Sequence, residues 1–264
     1  MGSRDLYLYP SGRIAVLTTE LMGREGLDRL ERTKDLDELI STIGSTHLRN
    51  LTPHLRDEVG GEKAFADEMR AIIEFIRDLS PDPRIPDMLS LGEKYLNLKI
   101  YAKTEAGLVA PSKLEKETMD DPVVTEAIEA YSKTDDLGVI DRVIEKRWLE
   151  ELSELAAGES YLERIVQFIK ELYDARCRVF FKYLDRKQIS DELGIGVSHR
   201  FDELFLIPPD EVDSRIAAIF LDELELSRYE PYGVDVLALY AWRRVTELRS
   251  TRAVWLKKLL EVGV

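Results

Sequence analysis

The sequence predicts an all-α protein, and three observations lead there. Apolar residues recur at intervals of three and four, the period of a helix stripe. The period-two alternation of a half-buried strand is missing. Glycine and proline fall where they divide the chain into pieces of ordinary helix length.

Phe65, Met69, Ile72, Ile73, Ile76 and Leu79 line one side of a helix whose other side is charged. Met88, Leu91, Tyr95, Leu98 and Ala102 repeat the pattern, as do Val139, Ile140, Val143, Leu149, Leu152 and Leu155. Leu162, Ile165, Val166, Ile169, Leu172 and Val179 form a further stripe. Phe205-Leu-Ile207, ahead of Pro208-Pro209, reads as a loop or a brief extended piece. Breaks are expected at Gly60-Gly61, Pro81 to Pro86, Gly107 with Pro111, Asp121-Pro122, Gly158, Gly194 to Gly196, Pro208-Pro209 and Pro231 to Gly233. Each removes a helix donor or frees the backbone.

Composition bounds the function. The 264 residues carry 37 Lys and Arg against 51 Asp and Glu, a formal net charge of −14. With 44% hydrophobic residues the chain has enough apolar material for a core. The acidic balance repels phosphate backbones and anionic headgroups, so bulk nucleic-acid or membrane-surface binding is disfavoured. The apolar run Val236 to Trp242 is far short of the roughly 20 residues that span a bilayer. The amino-terminal residues lack the apolar stretch of a secretory signal, so no export is expected. The single Cys177 permits no internal disulfide and reads as a small buried residue.

A weak repetition runs through the chain. Asn97, Cys177 and Ser250, at similar spacings, each sit in a long amphipathic stretch and are followed within two positions by a base, Lys99, Arg178 and Arg252. Together with Tyr9-Pro-Ser-Gly-Arg-Ile-Ala-Val-Leu17, Leu27 to Ile40, Tyr95-Leu-Asn-Leu-Lys99, Ile140 to Leu149, and Tyr232-Gly233 with Tyr240, Glu247 and Arg252, these residues resemble the C subunit of archaeal-type and vacuolar-type rotary ATPases, called d in eukaryotes. The likeness is diffuse and spans most of the chain. The asparagine that the family repeats in its central helices is kept here only at Asn97.

The resemblance implies three similar helical modules around a pseudo-threefold axis, forming a funnel or socket. Their expected bounds are residues 1–115, 116–195 and a shortened 196–264. It also implies a non-catalytic central-stalk subunit that couples the rotary shaft, subunits D and F, to the membrane proteolipid ring during ion transport. Such a subunit would be cytoplasmic and peripheral to the membrane, with no span of its own, no nucleic acid, no cofactor, no metal and no catalytic residues.

Other readings come from single motifs. Arg186 to Phe201, with Gly194 in its turn, resembles a helix-turn-helix, but Asp185, Asp191, Glu192, Asp202 and Glu203 oppose phosphate there. Asp120-Asp121 and Asp135-Asp136, the latter followed by Asp141, suggest a helical magnesium-dependent diphosphate enzyme; the plainer reading is carboxylates at helix starts. A generic helical adaptor is the third alternative. His47, His54 and His199 stand in no ligand spacing, and Gly194-x-Gly196 lacks the rest of a dinucleotide loop. Trp148, Trp242, Trp255, Tyr229, Tyr232 and Tyr240 fit a core or a binding surface. The bases Arg243, Arg244, Arg249, Arg252, Lys257 and Lys258 read either as facing an acidic partner or anionic headgroups, or as a solvated helix face.

Overall fold

A computed structural model describes residues 3–108, 121–180, 186–195, 200–226 and 233–262. The described residues form α-helices and short 3₁₀ turns, with no strand among them. They group into two compact units, 1–86 with 221–264 and 87–220. This grouping is one of packing, whereas the three modules expected at 1–115, 116–195 and 196–264 are a matter of repetition and shape.

In the first unit, helices α1 (Ser3–Leu17), α2 (Gly23–Glu31), α3 (Leu36–Gly44) and α4 (Glu58–Leu79) precede the start of α5 (Arg84–Glu105). The end of α10 (Pro209–Leu226) and all of α11 (Val234–Val262) complete it. Helix α11 packs on α4, α2, α1 and α3. At its centre Trp255 is wholly buried, lies 5.3 Å from the Phe65 ring, and donates its indole N–H to the Leu55 carbonyl at 2.8 Å. That bond satisfies the polar end of an otherwise apolar side chain.

The Gly60-Gly61 pair does not break the chain as the sequence suggests; both lie in the first turn of α4. The Asp57 side chain caps that helix by accepting from the Gly60 N–H at 2.6 Å. Gly61 is required for a different reason, since a Cβ there would lie 2.3 Å from the Trp255 ring.

In the second unit, α6 (Pro122–Thr134) and α7 (Leu137–Ala156) form an antiparallel hairpin, followed by α8 (Ser160–Phe180) and α9 (Arg186–Leu193). Asp121 caps α6 through the Val123 N–H, with Pro122 at the first helical position. Asp135 ends α6 at φ 54, a left-handed position that Asp tolerates better than most residues. Asp136 then caps α7 through the Gly138 N–H. Leu149, Cys177, Ile189, Leu193 and Ile195 form a cluster where α7, α8 and α9 meet. Burial of each such aliphatic side chain contributes about 1.5–3 kcal/mol.

Of the segment expected to be a loop or an extended piece, Phe205 and Leu206 end a 3₁₀ turn, Asp202–Leu206, and Ile207 after it is extended. Phe201 holds the turn to α8, its ring edge-on to Phe168 at 5.3 Å, and Leu204 is fully buried beside it.

Candidate functional site

The motifs singled out in the sequence do not converge. His47 is buried in the first unit, His54 is exposed, and His199 lies outside the described residues. Asp135 and Asp136 serve the ends of α6 and α7, while Asp141 faces α5, where Lys103 reaches it at 2.9 Å and Lys99 at 3.6 Å. Asp121 is a cap that also meets Lys94 at 3.3 Å; Asp120 lies outside the described residues. No group of three or more metal-ligating side chains gathers among the described residues.

Gly194 closes α9 at φ 65, and Gly196 lies outside the described residues. After it, residues 200–207 hold only the 3₁₀ turn, so no second helix of a helix-turn-helix begins there. Trp255 and Tyr240 are core residues. Trp148 is half-buried, 5.0 Å from Tyr173, and Tyr229 and Tyr232 lie outside the described residues.

What the fold does bring together is buried charge. Glu145 on α7, only 2% exposed, is paired with Lys99 of α5 and with Arg176 of α8 at 3.6 Å. The Tyr173 hydroxyl donates to it at 3.4 Å, and the Cys177 thiol lies 4.0 Å away. Arg176 also reaches Asp213 of α10 at 2.8 Å. Burial, followed by the Glu145 charge, pushes the Cys177 thiol far above its usual range, which makes it a poor nucleophile. This network ties α5, α7, α8 and α10 together.

A second buried carboxylate, Glu247 of α11, is handled by backbone. Helix α2 has no side-chain cap of its own at Met22. Glu247 supplies one from across the unit, accepting from the Met22 N–H at 3.1 Å and the Gly23 N–H at 2.9 Å. Burial raises its carboxyl above the usual range, while those two amides and then Arg244 and Arg243 pull it back. Beside it the His47 imidazole lies 3.5 Å from Oε2. Neither ring nitrogen has an aligned hydrogen-bond partner.

The basic stretch of α11 is mostly spent inside its own unit. Arg244 pairs with Glu68 at 3.0 Å and Arg252 with Glu62 at 2.8 Å, both on α4. Arg243 meets Glu225 of α10, and Lys258 meets Glu261 at 3.0 Å. Spacing could not reveal Glu62 and Glu68, because they lie far away in the chain.

Two surface features stand out among the described residues. Between α5 and α7 a shallow cleft of about 560 Å³ is lined by Asp87, Lys94, Arg147, Glu151 and Glu154. Its charges pair with one another, Lys94 with Glu151 at 3.8 Å and Arg147 with Glu151 at 3.4 Å. The other is the outer face of α1, where Leu6, Leu8, Tyr9 and Val16 are 50–71% exposed. Among the described residues no helix is long and apolar enough to cross a membrane. No protein-family model matches the sequence, and no curated protein matches it.

Proposed function

We propose that this chain is a non-catalytic central-stalk subunit of a vacuolar- or archaeal-type rotary ATPase or ATP synthase, equivalent to the C subunit, or d in eukaryotes. In this reading it joins shaft subunits D and F to the proteolipid ring from the cytoplasmic side. It is built of three helical modules around a pseudo-threefold axis, making a socket.

The observation that carries the reading is the fate of the three repeated bases. Lys99, Arg178 and Arg252 stand on α5, α8 and α11, helices of 22, 21 and 29 residues. Each is ion-paired to a carboxylate of another element: Lys99 to Glu145, Arg178 to Asp202 at 2.8 Å, and Arg252 to Glu62 at 2.8 Å. The small residues before them do not share an environment, since Asn97 is exposed and Cys177 buried. What recurs is a long helix braced to a neighbour by a base.

That bracing suits a part that transmits torque, because close-packed helices with interhelical ties resist deformation. The apolar outer face of α1 gives such a part a surface on which a partner subunit can dock. Native mass spectrometry of rotary ATPase complexes isolated from the source cells tests the proposal. One copy per complex is the expected result, and consistent absence from such complexes overturns it.

A further inference from the structure

We propose that the free chain pairs with a second copy of itself through the outer face of α1, the two helices antiparallel, with Tyr9 of each copy against Arg13 of the other. The pair is a property of the isolated chain and stands apart from the proposed function.

Spacing sets up the surface. Leu6, Tyr9, Arg13 and Val16 follow one another at intervals of three, four and three, so they form one stripe along α1. All four are exposed, while Pro10, Ser11 and Ile14 are buried on the inner side. The Arg13 guanidinium rests over the Phe75 ring of α4 at 5.1 Å, which holds the planar group in place while the residue stays exposed. No carboxylate among the described residues is ion-paired to it.

Turned end for end, this stripe is its own complement. About its midpoint Leu6 meets Val16 of the second copy and Tyr9 meets Arg13, each contact occurring twice, as a two-fold interface requires. A guanidinium over a tyrosine face is attracted by the ring quadrupole. A parallel pair would instead set Arg13 against Arg13, where like charges repel. Gly12 lies beside the stripe, exposed, and a Cβ there would meet nothing within 4 Å. Glycine weakens a helix interior, and the chain's own packing does not call for one at this position. A second backbone crossing close by does.

Charge selects a second copy over other occupants. At a net charge of −14 two copies repel over most of their surface, but the only charge in the stripe is Arg13, which the facing tyrosine receives. A lipid surface would have to take that charge into its apolar layer, whereas interfacial helices keep their bases on the polar side. Area sets the strength. One helix face buries well under the roughly 800 Å² per partner of a stable interface, so the pair is weak, with a Kd on the order of 10–100 μM.

Sedimentation equilibrium of the full chain from about 1 to 300 μM tests the pair. Monomer–dimer exchange within that range is the expected result. A chain monomeric throughout overturns it, and if that monomer sediments with phosphatidylcholine vesicles the face belongs to lipid instead. Arg13→Glu and Tyr9→Ser should each weaken the dimer at least about fivefold. Leu260→Ser, exposed at the far end of α11, should leave it unchanged. A dimer indifferent to both α1 variants lies on another face and overturns the proposal. Direction is read by mixing Leu6→Cys chains with Val16→Cys chains and adding a short bismaleimide; native Cys177 is buried and does not compete. Links between unlike chains are expected, and links mainly between like chains overturn the antiparallel pair. This cross-link decides the matter even if a point variant fails to fold.

Discussion

Helices α1 and α11 are both apolar on more than one side, and the fold treats them in opposite ways. On α11, the consecutive residues Leu237 to Ala241 are all buried, because α1, α2, α3 and α4 surround the helix. On α1, Pro10, Ser11 and Ile14 are buried, while Leu6, Leu8, Tyr9 and Val16 stand in water on the other side. A helix that is apolar all round ordinarily belongs in an interior. The contrast teaches that weak amphipathicity has two meanings, a helix enclosed by its own chain or one with a face left for another.

The comparison breaks most sharply at Trp255 of α11. Trp255→Ala removes a fully buried indole and strands the Leu55 carbonyl, so the first unit should lose about 3–5 kcal/mol, read by urea denaturation. A loss under about 1 kcal/mol would mean that α11 is not the enclosed helix of this pair. Gly61→Ala attacks the same packing from α4. A methyl 2.3 Å from the Trp255 ring must displace ring or backbone, at a cost of about 1–3 kcal/mol. If Gly61→Ala is neutral while Trp255→Ala is severe, the ring has room to shift and α4 is less tightly fitted than its geometry indicates.

These two residues also mark what was legible beforehand. Spacing located α4, α5, α7 and α8, because each has a stripe on one side and charge on the other. It gave no such stripe for α1, and on α11, where it found an amphipathic stretch around Ser250, it could not say which side faces the core, because apolar and charged residues are mixed round the helix. Gly60-Gly61 read as a break because glycine is a poor helix former in isolation. The reason to tolerate it, a tryptophan almost two hundred residues away, exists only in the fold. The pairing of His47 with Glu247 was equally invisible, since no motif links a turn residue to a distant helix. Asp136, by contrast, behaved as a carboxylate at a helix start because capping is local chemistry, whereas Asp135 closes α6 at its far end.

Glu247→Gln sharpens the account of α11 by asking how a carboxylate buried in mid-helix is held. The substitution keeps an acceptor for one amide of α2 and weakens the other bond, so about 1 kcal/mol should be lost at acidic pH. Burial raises the native carboxyl, which means the folded state binds its proton more tightly than the unfolded one. The stability contributed by the protonated form is lost as pH rises through the folded value. Glutamine has no such loss, so the deficit of the variant should shrink as pH rises from about 4 toward 7. Urea titrations at several pH values read the trend, and a deficit that grows with pH would contradict it.

The smallest expected effect on stability falls on α1 and carries the most information about function. Tyr9→Ser and Val16→Ser alter side chains 71% and 66% exposed, so together they should shift stability by no more than about 0.5 kcal/mol. If a partner subunit covers this face, the same pair should weaken assembly at least tenfold, because a large exposed tyrosine beside aliphatic neighbours is the kind of anchor that dominates interfaces. Stability is read by urea denaturation of the isolated chain, and assembly by its yield in the purified complex. A loss of 2 kcal/mol or more in the isolated chain would show that the face is already packed on its own protein. Unchanged stability with unchanged assembly would leave α1 exposed in the complex as well, and the contrast with α11 would then be one of position alone.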